Sequence, residues 1–175
     1  MTIRKWGVSL KKIVPSELEF YLENMAAEGY MLKNVGETGI FYFEFEEGLS
    51  QKAKYVVDIS ALPKVTYVGT LIDKGWEYLG KTGNCYIWRM VYEDKRPADF
   101  TDKICRRRHC FRLGIFFTLL AFLSLFLMGS LAWGILVEHR NGINVHSWAY
   151  AIELVTQIPI VTYSIWAARK LLGER

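Results

Sequence analysis

The feature that most constrains this chain is an apolar stretch, Leu113 to Val137, which has twenty-five residues and no formal charge. As an α-helix it would extend over about 37 Å at roughly 1.5 Å per residue. That length exceeds the ~30 Å thickness of the hydrocarbon core of a bilayer. The residues just before it, 101–112, are strongly basic. The pattern predicts a transmembrane helix over 113–137 that follows a basic juxtamembrane segment.

A second apolar stretch, 148–172, predicts a second transmembrane helix. The connection between the two, 138–147, contains the turn signal Asn141-Gly142, so the helices should form a hairpin. Lysines and arginines precede the first helix and follow the second, whereas Arg140 is the only one between them. Because positive residues favour the cytoplasmic side, we expect both termini in the cytoplasm and the loop 138–147 outside.

The net charge of +4 is compatible with nucleic-acid binding, but its distribution argues against that function. Residues 1–100 contain thirteen Lys+Arg and fourteen Asp+Glu, whereas residues 101–175 contain nine and four. The basic excess belongs to the ends of the predicted helices, where each basic residue attracts anionic lipid by about 1 kcal/mol. We therefore expect membrane lipid, and no nucleic acid, as a partner. The predicted headgroup contacts are Arg106, Arg107, Arg108 and Arg112.

The three cysteines, Cys85, Cys105 and Cys110, form no even-numbered disulfide framework, which is typical of a reducing compartment. The first twenty residues carry several charges and predict no secretory signal. Cys105, His109 and Cys110 are close enough to suggest a metal site or an acylated cysteine. A closed zinc site needs a fourth ligand, however, and three arginines lie in the same run. We expect inert cysteines, no metal and no cofactor.

Residues 1–100 predict a duplicated unit of strand, helix, strand and strand. The copies are most alike where Glu28-Gly29-Tyr30 corresponds to Lys74-Gly75-Trp76, and where Gly36-Glu-Thr-Gly39 corresponds to Gly80-Lys-Thr-Gly83. Gly29 and Gly75 are each expected to end a helix. We expect the aromatic residue that follows each of them to lie at the seam between helix and sheet. The tetrads predict hairpin turns, because a phosphate loop must open a helix and each tetrad leads into a strand. The predicted fold class is α+β: one mostly antiparallel sheet covered by both helices, a sandwich related to ferredoxin-like folds.

One predicted strand, 40–46, alternates between two faces. Phe41, Phe43 and Phe45 share one face, and Tyr42 and Glu44 share the other. We expect the phenylalanines in the core rather than on an RNA-binding sheet, because this half of the chain is net acidic and lacks the signature residues of RNA-binding strands. Tyr42 and Glu44 are then exposed, and we predict that they contact a protein partner.

Glu153 and Gln157 lie four residues apart on one face of the second apolar stretch. Ionisable residues within a bilayer are costly and indicate function. Several interpretations remain open: snorkelling of Glu153 towards the outer edge, packing against another subunit, sensing, or conduction. The remaining interpretation is packing against polar residues of the first helix: Thr118, Ser124 or Ser130.

Several stretches of the first half resemble bacterial domain-of-unknown-function family 2812. They are Tyr21 to Leu32 (YLENMAAEGYML), Phe41 to Phe45, Tyr55 to Ile59, Gly75 to Gly80 and the aromatic strand at Trp88, so that the resemblance covers about residues 1–105. The sequence departs from the family pattern at Tyr21 and Tyr30, where tryptophan is common. The resemblance implies a cytoplasmic domain before two helices of the bacterial inner membrane. Genes of this family commonly lie beside regulators of the PadR type, which implies a role in signalling or regulation.

The first functional hypothesis is therefore a membrane-anchored regulatory protein whose cytoplasmic domain binds a protein, with a PadR-like transcription regulator as the partner that the resemblance implies. The alternative is a small accessory subunit of a transporter or membrane assembly, with Glu153 and Gln157 as contacts between helices. An enzyme is not expected. Residues 1–104 contain no histidine and a single cysteine, Cys85, and the family implies no catalytic residues.

Overall fold

A computed structural model describes residues 2–35, 42–59, 65–82, 85–101, 103–141 and 147–173. The chain forms two compact units, residues 1–109 and 110–175. We call them the domain and the helix pair and describe each by itself. The predicted turn at 36–39 and the position of Phe41 lie outside the described residues.

The domain contains two successive strand–helix–strand–strand units, as the sequence predicts. The first comprises β1 (Thr2–Trp6), the short helix α1 (Val8–Lys11), α2 (Pro15–Ala27), β2 (Tyr30–Val35) and β3 (Tyr42–Glu47). The second comprises β4 (Ala53–Asp58), α3 (Val65–Asp73), β5 (Glu77–Thr82) and β6 (Cys85–Val91). The last strand of each unit is central, with strand orders β1-β3-β2 and β4-β6-β5, and all pairings are antiparallel.

Both units share the same irregularity in their middle strand. The register of β2 against β3 shifts between Leu32 and Asn34, and that of β5 against β6 shifts between Tyr78 and Gly80. Each shift begins three residues after the glycine that ends the preceding helix. The middle strands of the two units therefore carry an irregularity at corresponding positions.

The prediction of one continuous sheet is wrong, because the strands form two three-stranded sheets. β2 and β5 lie beside each other, but they belong to different sheets and do not pair. The backbone of Leu32 bonds to side chains of the second sheet instead. Its N–H donates to the Tyr55 hydroxyl at 3.4 Å, and its carbonyl accepts from the Arg89 guanidinium at 2.9 Å.

The main core lies beneath α2, which packs on both β2 and β4. Leu18, Leu22 and Met25 form the buried face of α2, as their spacing predicts. Phe43 and Phe45 are almost completely buried beneath this helix. Their predicted role as core residues is confirmed.

A smaller core lies on the other face of the second sheet and contains Val56, Leu71, Trp76 and Trp88. Trp76 follows Gly75, which ends α3 with a left-handed φ of 86°. The tryptophan is buried against Leu71 of that helix. The predicted glycine–aromatic step into the seam between helix and sheet is confirmed here.

The helix pair consists of α4 (Lys103–Arg140), whose first turns belong to the domain, and α5 (Ser147–Gly173). The described part of the basic segment 101–112 is helical from Lys103 onward. Both helices are long and apolar enough to cross a membrane by length and composition. Only 11% and 22% of their most apolar windows are buried, whereas the core helix of a soluble protein would be mostly buried.

Many of the buried positions in the helix pair carry small side chains. The buried positions of α4 in this unit are Cys110, Gly114, Ala121 and Ser124. Those of α5 are Val161, Ser164, Ala167, Ala168 and Leu171. Small residues let helix backbones approach closely, which is how helices associate where lipid removes the hydrophobic driving force.

Candidate functional site

Aromatic and charged side chains lie together on the outer face of the first sheet. Arg4 and Trp6 are exposed, whereas Tyr42 and Glu44, which the sequence predicts to be exposed, are half-buried. Trp6 pairs with Tyr42 across the β1–β3 ladder, and their ring centroids are 5.3 Å apart. Arg4 pairs with Glu44 in the same ladder, and its Nε donates to the Glu44 carboxylate at 2.7 Å. The Arg4 guanidinium also lies 5.4 Å from the centre of the Tyr42 ring. We call these four residues the Trp6–Tyr42 face.

This face contains both residues that the sequence predicts as partner contacts, Tyr42 and Glu44. Sequence reasoning missed Arg4 and Trp6, although their alternation along the first strand places them on one face. Trp6 is 66% exposed. The cross-strand contacts hold the rings and charges in one arrangement, so the face is preorganised rather than a set of independent surface side chains.

A buried ion pair closes the open edge of β4. Glu19 of α2 accepts the N–H of Val57 at 2.7 Å and also accepts from the guanidinium of Arg106. Arg106 lies 3.5 Å from the Val57 carbonyl. The side chains of Glu19 and Arg106 are 8% and 16% exposed. Burial raises the pKa of Glu19 above its ordinary value, and the charge of Arg106 and the Val57 N–H oppose that shift without cancelling it.

The segment between β6 and α4 is held to the domain at further points. The carboxylate of Glu23 accepts from Arg96 at 2.8 and 3.1 Å and lies 3.5 Å from the ammonium of Lys54. Phe100 packs edge-on against Trp76, with ring centroids 4.8 Å apart. The start of α4 is therefore fixed to the domain by ion pairs and by aromatic packing.

The arginines predicted to meet lipid headgroups fall into two groups. Arg106 is paired with Glu19 and partly buried. Its charge is therefore balanced by a carboxylate of the domain. This pairing distinguishes Arg106 from the other three arginines. Arg107, Arg108 and Arg112 are exposed, and their contact with lipid stays a prediction.

The cysteines differ in accessibility. Cys105 is exposed, Cys85 is half-buried and Cys110 is buried. Burial, followed by the negative charge of Asp58, raises the pKa of the Cys85 thiol to about 11, although Arg106 acts in the opposite direction. Within the described ranges, no three histidine, cysteine or acidic side chains are grouped to hold a metal ion.

The polar residues of α5 have two kinds of environment. Glu153 is exposed and Gln157 is half-buried. Two of the expected partners on α4, Thr118 and Ser130, donate instead to carbonyls of their own helix, at 2.8 Å each. Ser164 is almost fully buried, and its hydroxyl has no hydrogen-bond partner in the part of the chain that the structure describes.

The C-terminal end of α5 combines aromatic and basic residues. The ammonium of Lys170 lies 4.8 Å from the centre of the Trp166 ring. The ring of Tyr163 packs between those of Phe117 and Trp166, at centroid distances of 5.9 and 5.6 Å. Aromatic and basic residues of this kind mark the interface between membrane and water, so their place at the end of the apolar stretch fits a helix that ends there.

The fold and these surfaces define a class of protein: a small mixed α/β domain joined to two helices that could span a membrane. A family model described as "Protein of unknown function (DUF2812)" matches residues 15–122. The match covers more than half of the chain, from the start of α2 into α4, and the chain belongs to this family. No curated protein and no solved structure matches it.

Proposed function

We propose that this protein is a membrane-anchored regulatory or signalling protein whose domain lies in the cytoplasm and binds a protein partner. The observation that carries the proposal is the Trp6–Tyr42 face. Interface hot spots are enriched in tryptophan, tyrosine and arginine, and this face presents one of each beside a carboxylate. An exposed tryptophan that neighbouring side chains hold in place is a suitable anchor for a partner surface.

The partner that we propose first is a transcription regulator of the PadR type. The support is the neighbourhood that the family implies, together with the attachment of the domain to a helix apolar enough to cross a membrane. Binding to an anchored domain would keep the regulator away from DNA. No catalytic step is part of this proposal.

The test is purification of the full chain from its native membranes in mild detergent, followed by mass spectrometry of the proteins that accompany it. We expect the wild type to retain a transcription regulator. A double variant, Tyr42→Ala with Glu44→Arg, should lose the regulator, because it removes the ring against Trp6 and reverses the charge that pairs with Arg4.

The matched control is Tyr78→Ala. Tyr78 is an exposed tyrosine that, like Tyr42, has packed ring neighbours, at 5.3 Å from Trp88 and 6.2 Å from Tyr86, but it belongs to the second sheet. The control should retain the regulator. If every variant retains the same proteins, or if wild type retains only membrane proteins, the Trp6–Tyr42 face is not the partner site.

The proposed location is the bacterial inner membrane, with α4 and α5 as a hairpin, both termini in the cytoplasm and exposed Arg107, Arg108 and Arg112 near lipid headgroups. The support is the apolar length of both helices and the basic residues at their cytoplasmic ends. A membrane-impermeant thiol reagent applied to intact cells should label an Asn141→Cys variant but not native Cys105. Labelling of Cys105 under these conditions would show that the orientation in the membrane is opposite to the proposed one.

A second candidate function is an accessory subunit of a transporter or other membrane assembly, including a homo-oligomer. The observation that favours it is the exposed carboxylate of Glu153, for which the described residues supply no ion-pair partner. A carboxylate on a membrane helix is costly unless another polar group meets it. Replacing Glu153 and Gln157 with leucine should reduce the mass of the detergent-solubilised assembly while the domain stays folded. An unchanged mass would remove this alternative.

At the level of architecture we propose that the two units of the domain form an α+β sandwich of the ferredoxin-like kind. The support is the position of α2 over strands from both sheets. An experimental structure of the domain would test the arrangement, because the layers and the relation between the sheets can be read from it directly.

A further inference from the structure

A basic cavity lies where β1 ends and α1 begins. It has a volume of about 390 Å³ and is lined by Lys5, Trp6, Val8, Lys11, Lys12 and Tyr21. Gly7 joins the two elements with a left-handed φ of 66°, and α1 then returns Lys11 and Lys12 to the same place as Lys5. Three lysines therefore line one cavity: Lys5 of β1, Lys11 of α1 and Lys12, which follows that helix.

The three lysines belong to the cations of the domain that form no ion pair with a described residue, as Lys52, Lys74, Lys81 and Lys95 also do, whereas six other cations are paired. Arg4, Lys33, Lys54, Arg89, Arg96 and Arg106 each lie within 4.0 Å of a carboxylate. The described residues give Lys5, Lys11 and Lys12 no such partner. The cavity thus has three like charges and no counter-charge from the described chain.

The lack of a carboxylate partner is clearest at Lys5. Its side chain is partly buried, and its ammonium lies 3.2 Å from the sulfur of Met25 and 5.9 Å from the centre of the Tyr21 ring. A thioether is a weak acceptor, and an aromatic face attracts a cation only modestly. Lys5 has donor capacity that these neighbours leave unused.

We propose that this cavity binds the phosphate group of an organic phosphate. Three lysines supply the compact positive charges that phosphate oxygens attract. The rings of Trp6 and Tyr21 and the side chain of Val8 form apolar walls for the group that carries the phosphate. The volume falls in the range of small-molecule sites, about 300–1,000 Å³. The same chemistry is offered by a soluble phosphate ester and by an anionic lipid headgroup.

The experiment measures how strongly a ligand protects individual lysines of the full chain from an amine-acetylating reagent, with peptide mass spectrometry as the readout. The chain is placed in nanodiscs of zwitterionic phosphatidylcholine and titrated with phenyl phosphate, and separately with inorganic phosphate. A second preparation contains phosphatidylglycerol and no soluble phosphate. Lys33 and Lys81 serve as internal reference lysines outside the cavity.

We expect protection of Lys5, Lys11 and Lys12 but not of the reference lysines. Protection by phenyl phosphate in phosphatidylcholine discs identifies a soluble ester as the ligand class, and protection in phosphatidylglycerol discs alone identifies a lipid headgroup. The proposal is overturned if neither condition protects the three lysines, or if Lys33 and Lys81 are protected equally, since that pattern means unspecific attraction.

A variant separates the site from general charge effects. Lys5→Gln removes the central ammonium and should weaken protection of Lys11 and Lys12 roughly tenfold, the effect of losing one hydrogen bond to a charged group. Lys33→Gln removes the same charge at a surface pair with Glu46 and should change nothing. Equal loss in both variants would contradict the proposal. Neither variant alters Tyr42 or Glu44, so the partner experiment above succeeds or fails independently.

Discussion

Glu19 and Arg106 are separated by 87 positions in the chain and form an ion pair that replaces a missing neighbour strand at the edge of β4. The carboxylate accepts the N–H of Val57, and the guanidinium lies beside its carbonyl. An open strand edge is otherwise a template for unwanted pairing with another chain. The same pair also fixes the first turns of α4 to the domain.

Removing one member of this pair should destabilise the domain strongly. Glu19→Ala leaves the Arg106 charge partly buried without its partner, a change that typically costs about 3–5 kcal/mol. The Val57 amide also loses its acceptor. Hydrogen exchange of the full chain in detergent should therefore show faster exchange in the peptide that contains Val57.

The control for that change is Glu44→Ala, which breaks a pair with the largely exposed Arg4. Exposed pairs contribute about 0–1 kcal/mol, so exchange at Val57 should stay as in the wild type. If Glu19→Ala changes the exchange rate at Val57 as little as Glu44→Ala does, the buried pair does not stabilise the edge of β4.

The pH dependence of stability should carry a contribution from Glu19. Burial raises the pKa of this carboxyl above the ordinary value of 4.5. A group whose pKa is higher in the folded state contributes stability that is fully present below its unfolded pKa and is lost as pH rises through the folded pKa. The stability of the domain should therefore contain a component that falls as pH rises above 4.5. Glu19→Gln cannot titrate, so urea unfolding at several pH values should lack that component; an identical profile in the variant would refute the assignment.

The glycines that end α2 and α3 should not be equally tolerant of substitution. Gly29 and Gly75 have φ values of 90° and 86°, and a side chain in that region costs about 1–2 kcal/mol. At Gly29 an added Cβ would also lie 2.8 Å from the carbonyl oxygen of Gly48, whereas at Gly75 the nearest atom is the flexible end of Met90 at 3.7 Å. Thermal unfolding should show that Gly29→Ala is the more destabilising change. Equal losses would mean that only the backbone conformation matters.

The repeated unit could be predicted from sequence because its signals are local. Pro15, the spacing of Leu18 and Leu22, and the glycine–aromatic step at Gly75-Trp76 all act within a few residues. Each signal depends only on residues that are close in the sequence, so it can be recognised without knowing which distant residues it contacts. The same applies to the apolar helices, whose length alone distinguishes them.

The closure of the sheet edges could not be predicted, because it depends on polar contacts between distant residues. Leu32 bonds to the side chains of Tyr55 and Arg89, and Val57 bonds to Glu19, without any periodic pattern in the sequence. The alternation of Tyr42 and Glu44 predicted an exposed pair. Only the register of β1 against β3 shows that Trp6 lies directly opposite Tyr42.

The cysteines should react with thiol reagents at very different rates. The thiolate is the reactive form, and burial raises the pKa of Cys85 to about 11, so this thiol stays protonated at neutral pH. Cys105 is exposed. Iodoacetamide at pH 8 should alkylate Cys105 rapidly and Cys85 only after unfolding, as measured by mass spectrometry of the peptides. Rapid alkylation of Cys85 in the folded protein would show that its strand opens readily.

The close approach of α4 and α5 at Gly114 should be the most sensitive point of their seam. An added Cβ there would lie 2.8 Å from Cγ and Cδ2 of Leu172 and 3.5 Å from Cβ of Leu171. Gly114→Leu should therefore force the helices apart and destabilise the pair by about 1–3 kcal/mol, the usual cost of overpacking. The measurement is the temperature at which half of the detergent-solubilised protein aggregates.

Two further variants identify the cause of that loss. Gly129 has no atom within 4 Å of an added Cβ, so Gly129→Leu should leave the aggregation temperature close to that of the wild type. Combining Gly114→Ala with Leu172→Ala removes the side chain that an added Cβ would meet, and this double variant should be more stable than Gly114→Leu. If Gly129→Leu is as damaging as Gly114→Leu, leucine disturbs α4 wherever it is placed, and the contact with Leu172 does not determine the packing of the helices.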